Sequence, residues 1–160
     1  MSPTELEAAR RLLFFSPPEA AALISQTREQ SWRRWEGGTR GVPDDVVARI
    51  RFLLDWRKMS IADARAQIQA QGAGKTAIVW YASAYDFTSL DGREEVFWRP
   101  HQSACATLSA EFPDSVTLVA FDGRAYAAWL GRRKDSESMR GAWAHAVANN
   151  AAPTSTRKEG

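Results

Sequence analysis

The sequence predicts an α+β fold: an N-terminal set of four to five helices, then a small C-terminal α+β unit built on a sheet of about three strands. Two patterns lead there. Residues 1–58 carry a succession of helix start signals spaced for short helices, and from residue 77 the chain turns to short β-branched and aromatic runs alternating with alanine-rich stretches. Composition sets the frame: 160 residues, 44% hydrophobic and 25% charged, can bury a core, and no run of about 18 apolar residues suggests a membrane span. The N-terminus lacks a basic, apolar, small-residue leader, so a cytoplasmic protein is expected. The single Cys105 cannot form an internal disulfide, and no Cys/His tetrad exists for a structural zinc, so neither metal nor cofactor is expected.

Ser2-Pro3-Thr4-Glu5 is a capping box with proline at the first helical position, and Leu6, Ala9 and Leu13 continue it as a core-facing stripe to about Phe14. Ser16-Pro17-Pro18-Glu19 repeats the box before Ala20, Ala21, Leu23 and Ile24, a helix of two turns. Thr27-Arg28-Glu29-Gln30 reads as a third box, opening a helix that stops at Gly37-Gly38. Pro43, Asp44 and Asp45 open a fourth, with Val46, Val47, Ile50, Leu53, Leu54 and Trp56 on its buried side. The second and third helices, joined by a few residues inside a four-helix set, match a helix-turn-helix. Ile61, Ala64 and Ile68 suggest a separate connector helix ended by Gly72-Ala73-Gly74. Beyond it, Ala77–Tyr81, Glu95–Arg99 and Ser115–Phe121 read as strands, Gln102–Phe112 as a helix, and Ala125–Leu130 and Met139–Ala148 as two more helices. The organisation expected is therefore a helix-turn-helix unit over 1–58, a connector over 59–76, an α+β dimerisation or effector unit over 77–148, and a disordered tail over 149–160.

The net charge of +2 does not support coating of a polyanion, but the excess falls entirely within residues 1–58. Arg28, Arg33, Arg34 and Arg40 make a local basic patch there against Glu29 and Glu36. Trp32 and Trp35, three apart, should face inward, leaving Arg28, Glu29, Gln30 and Arg33 outward with Arg34 at the flank. In a major groove, arginine bonds guanine twice, glutamine does the same to adenine, and glutamate accepts from the cytosine amino group, so these are candidate base readers. Ser31, Thr39 and Arg40, with the amides at the start of the second helix near Ser16, are candidate phosphate contacts that fix register.

The residues Arg10, Ser16-Pro-Pro-Glu-Ala-Ala21, Ser31-Trp-Arg-Arg-Trp-Glu-Gly37-Gly38 and Val42-Pro43 resemble the DNA-binding domain of Cro/cI-type (XRE) helix-turn-helix regulators. Glu5-Leu6, Leu12-Leu13, Glu19-Ala20-Ala21, Trp35-Glu36 and Val42-Pro43-Asp44-Asp45-Val46 are similar, more narrowly, to the group of anti-CRISPR-associated repressors and YdiL-like regulators, and Val96-Phe-Trp-Arg99 with Gln102-Ser103 extends the similarity weakly. The resemblance implies a homodimeric autorepressor on an inverted-repeat operator of double-stranded DNA, a C-terminal dimerisation domain, an Arg10–Glu36 ion pair, and RNA as a secondary target. An alternative reading is a protein-interaction or small-molecule-sensing module whose helix-turn-helix is a secondary nucleic-acid contact. Trp80, Phe97, Trp98, Phe121 and Trp129 suit either a core or a dimer interface.

Other chemistries rank below these. Gly74-Lys75-Thr76 lacks the first glycine of a phosphate loop, since position 69 is Gln. His101 and Cys105 share a helix face but lack partner ligands. Asp91, Glu94, Glu95, Asp114 and Asp122 read as solvated turn acids, so no enzyme is expected.

Overall fold

A computed structural model describes residues 1–71 and 74–151 as an α+β protein of eight helices, one 3-10 turn and a two-stranded parallel sheet. The helices α1 (Pro3–Leu12), α2 (Pro17–Leu23), α3 (Glu29–Glu36) and the first half of α4 (Asp44–Ala70) form the N-terminal unit. Both serine boxes form as expected: the Ser2 and Ser16 hydroxyls accept from the Glu5 and Glu19 amides, and each glutamate reaches back to its cap amide. Thr27 does not cap α3. Its hydroxyl bonds that of Ser25 at 2.8 Å, and Arg28 occupies the cap position without a side-chain bond. Leu6, Leu13, Phe15, Ala20, Ile24, Trp32, Trp35, Val46, Ile50 and Leu53 pack into one core.

Helix α4 corrects the expected break near residue 58. It runs 27 residues without interruption, because no glycine or proline lies between Asp44 and Gln71, and the predicted connector is its second half. Ile61 and Ile68 therefore project from the same rod as Ile50 and Leu53, but into a different core.

Strands β1 (Thr76–Trp80) and β2 (Val116–Ala120) pair in parallel with Thr76 opposite Val116 and Trp80 opposite Ala120. The third strand expected at Glu95–Arg99 is absent. Glu95–Phe97 is a 3-10 turn and Trp98 begins α6 (Trp98–Glu111). Val96 packs on the N-terminal core, Trp98 on the second core and Phe97 on both, a division that a flat strand with two faces on one sheet could not make. Helix α5 (Ala84–Thr88), capped by Ser83, was not expected.

The sheet is the middle of three layers. Ala77, Val79 and Val119 meet Tyr126 of α7 (Gly123–Leu130) and Trp143 and Ala144 of α8 (Glu137–Ala151), while Ile78, Val116 and Leu118 meet Ile61 and Ile68 of α4 and Ala104 and Leu108 of α6. Of the aromatics that suited either a core or an interface, Trp98 is buried in the second core, Phe97, Phe121 and Trp129 are partly buried and pack against cores, and Trp80 is half-buried and belongs to none of them. Of the expected disordered tail, 149–151 belong to α8 and 152–160 lie outside the described residues. Among the described residues no helix is long and apolar enough to cross a membrane.

The two halves are tied by polar contacts as well as by α4. Arg99 of α6 donates from Nε and Nη2 to Glu19 of α2 at 2.8 and 2.6 Å, Arg57 of α4 donates to Ser103 and Thr107, and the Ser103 hydroxyl donates to the Leu12 carbonyl.

Candidate nucleic-acid interface

Helix α3, eight residues long, makes little more than two turns and divides cleanly. Trp32 is fully buried and Trp35 nearly so, their rings edge to face with centroids 5.8 Å apart, while Gln30, Arg33 and Arg34 form the exposed ridge opposite. Spacing at three residues places two indoles on one side of a helix and leaves Gln30, Arg33 and Arg34 facing solvent. Arg28 and Arg40 are exposed at either end.

Charge on this ridge is not uniform. Arg33 is held by Glu29 at 2.6 Å, an exposed pair of the kind worth about 0.2–1 kcal/mol, weak enough to exchange for a base or phosphate. Arg28, Arg34 and Arg40 carry no ion pair among the described residues. Ser31 is half-buried, and the Thr39 hydroxyl donates to the Arg34 carbonyl at 3.2 Å, closing the C-terminal end of α3.

The amides expected to be free at the start of α2 are not. Pro17 and Pro18 have none, the Glu19 amide bonds the Ser16 hydroxyl, and the Ser16 amide bonds the Glu19 carboxylate. Glu19 is drawn below the ordinary carboxylate range, since bonds from Arg99 and Ser16 outweigh its burial, the largest single influence. An anionic carboxylate thus already occupies the α2 terminus. Of α2 and α3, it is α3 whose N-terminus has no side-chain cap, beside Arg28, where the helix dipole favours an anion.

Beneath the ridge lies a buried network. Arg10 of α1 donates from Nε to Glu36 Oε1 at 2.6 Å, from Nη2 to Glu36 Oε2 at 3.3 Å, and from Nη1 to the Phe15 carbonyl at 2.8 Å. Trp32 Nε1 donates to the same Glu36 Oε1 at 2.7 Å. One guanidinium therefore ties the end of α1, the α1–α2 turn and the last residue of α3, and forms the Arg10–Glu36 pair that the family resemblance implied. Trp35 Nε1, by contrast, is buried without a partner among the described residues. Replacing Trp32 by Phe is expected to cost about 1–3 kcal/mol beyond the shape change, because a charge-assisted bond is lost, while Trp35→Phe removes only an unpaired donor. Urea midpoints of the two variants should differ in that order, and equal midpoints would contradict the network.

Sequence reasoning found the ridge but not its foundations in the second half. Arg99 and Glu19 are 80 residues apart, and no local signal pairs them. Tyr85, 82% exposed, was not singled out either. His101 and Cys105 do meet, at 3.6 Å, yet no group of three or more His, Cys, Asp or Glu side chains is placed for a metal among the described residues.

A family model described as Aca2/YdiL-like matches residues 1–117. Over 67 residues the chain is 40% identical to the Aca2 repressor of Pectobacterium phage ZF40, a match covering 41% of this chain and 58% of that protein, which is less than two thirds of its length. Over 113 residues it is 29% identical to the uncharacterised protein YdiL of Escherichia coli K12, covering 69% of this chain and 94% of YdiL.

Proposed function

The chain belongs to the Aca2/YdiL-like family, and from that premise we propose that it is a transcriptional repressor that binds double-stranded DNA in a sequence-specific manner through α3. The observation that carries this reading is the α3 ridge: exposed Gln30, Arg33 and Arg34, flanked by exposed Arg28 and Arg40, on a helix fixed from behind by two buried tryptophans and the Arg10–Glu36 pair. The helices α2 and α3 act as a helix-turn-helix, with α3 in the major groove. Arg28, Gln30 and Arg33 read base edges, Glu29 is released from Arg33 to accept from a cytosine amino group, and Arg34 stands at the groove wall. Arg40, Ser31 and Thr39 contact phosphates and set the register. Ser16 stays a helix cap in this arrangement, engaged by Glu19.

The repressor named among the relatives supports regulation by repression here. A single short helix covers few base pairs, so a homodimer presents two copies of α3 about 34 Å apart to an inverted-repeat operator, joined through the C-terminal unit. Light scattering at the concentration used for DNA binding should return twice the chain mass, and a monomer mass that persists on operator DNA would exclude the dimer.

Binding isotherms separate the roles. Gln30→Ala should cost about 1–3 kcal/mol on the preferred operator and much less on unrelated DNA, while Arg40→Ala should weaken both alike and reduce the salt slope by about one. Uniform losses in both variants would show that Gln30 reads nothing.

A further inference from the structure

A groove runs along the open edge of β1, between the α4/α6 layer and α8, with a volume of about 490 Å³. The ladder leaves that edge unmet. Thr76 donates to Ser115, and Trp80 accepts from Phe121, so the even-numbered residues of β1 face β2 and the odd-numbered ones face the groove. The Tyr81 carbonyl there is taken by Trp98 Nε1 at 2.9 Å and Gln102 Nε2 at 2.8 Å, and the Val79 carbonyl faces the Cys105 thiol at 3.9 Å. The Ala77 amide, the Ala77 carbonyl and the Val79 amide have no partner among the described residues, although both residues are more than nine-tenths buried. Buried backbone groups are almost always paired, so two donors and an acceptor in a row on the wall of a cavity point to a missing partner.

The surroundings say what kind. Of the arginines that line the groove, Arg93 gives Nε and Nη2 to Glu137 and Nη1 to the Phe87 carbonyl, and Arg140 gives its donors to Asp135, the Asp86 carbonyl and Ser89, so unlike the exposed Arg33 both guanidiniums are largely buried with their donors engaged. His101 lines the groove as a neutral imidazole, burial and the nearby Arg93 pushing it down to about 4. Gly141 of α8 forms part of the wall, and a Cβ there would meet nothing within 4 Å. A glycine inside a helix gives up about 0.5–1 kcal/mol relative to alanine, and at this position it leaves the groove wall without a side chain.

We propose that this groove is a binding site for a small uncharged ligand that presents an amide or lactam, whose carbonyl and N–H complete the Ala77–Val79 edge. A carboxamide group supplies the acceptor and donor that the edge lacks, at the spacing of a strand partner. A carboxylate would face the Ala77 carbonyl with no donor, and both lining arginines are already paired. The site lies one helix from α2, because α6 lines the groove with His101 and Cys105 and holds Glu19 with Arg99.

The test is amide NMR of the labelled full chain titrated separately with nicotinamide, uracil and nicotinate, and it reads the groove without DNA. The neutral probes should shift the Ala77 and Val79 amides saturably, and nicotinate should not. Gly141→Leu, whose added Cβ meets nothing within 4 Å, should abolish the shifts, with a cooperative thermal melt showing that the variant is folded. The proposal is overturned if neither neutral probe saturates both amides, if nicotinate shifts them equally, or if Gly141→Leu leaves the shifts unchanged.

Discussion

Trp32→Ala should unfold the N-terminal unit at temperatures where the parent is folded. The indole is fully buried at the centre of the helical core, stacked edge to face on Trp35, with its N–H on Glu36. Large-to-small replacement of a buried aromatic costs about 3–5 kcal/mol, a large part of the about 5–15 kcal/mol that separates folded from unfolded domains. Because α1, α2, α3 and α4 all contribute to this core, the loss cannot be confined to α3. Thermal melting followed by far-ultraviolet circular dichroism measures it, with Arg34→Ala as an exposed control expected within about 0.5 kcal/mol of the parent. Equal midpoints for Trp32→Ala and the parent would mean that the indole is not part of the core.

Arg10→Ala should be comparably damaging by a different route. Arg10 and Glu36 retain only 8% and 13% side-chain exposure, so removing the guanidinium strands a carboxylate and the Phe15 carbonyl away from water. Breaking one side of a buried pair costs about 3–5 kcal/mol, more than the intact pair itself contributes, because the remaining charge keeps its desolvation cost. Adding Glu36→Gln to Arg10→Met should recover part of the loss, since the amide oxygen of the new side chain can still accept from Trp32 and no charge is left behind. A double-mutant cycle should return a coupling of about 1–3 kcal/mol, and a coupling near zero would show the two groups to be independent.

The parts of the fold that were legible in the sequence are those fixed locally. Ser2 and Ser16 announce α1 and α2 because a serine cap and a glutamate three residues on are reciprocal within one turn. Trp32 and Trp35 announce the inner face of α3 by their spacing, and with it the outward ridge. Failures came where distant packing overrode local preference. Val96, Phe97 and Trp98 look like a strand because they are β-branched and aromatic, but they are shared between two cores and start a helix instead. Thr27 resembles a cap, yet Ser25 engages its hydroxyl. The continuity of α4 was readable, since nothing between Asp44 and Gln71 breaks a helix, but a change of apolar pattern at Ile61, Ala64 and Ile68 suggested a separate helix, and in the structure that change marks a second core on one unbroken rod.

The same distinction holds for the candidate interface. Arg33 and Gln30 could be placed outward from periodicity alone, whereas the Glu29–Arg33 pair, the closed α2 terminus and the Arg99–Glu19 link depend on side chains meeting in space. The Arg10–Glu36 pair came from family resemblance, and no spacing rule connects residues 26 apart on different helices. The open edge of β1 follows from a sheet of two strands where about three were expected.

The most direct measurement of the central claim is a gel shift with the DNA upstream of the protein's own gene, against excess unrelated competitor at about 150 mM salt, where non-specific phosphate binding is suppressed. The parent protein should give a competitor-resistant shift that is lost with Gln30→Ala combined with Arg28→Ala, two exposed substitutions that leave the core untouched. A shift that the competitor erases, or one that survives both substitutions unchanged, would contradict sequence reading by α3.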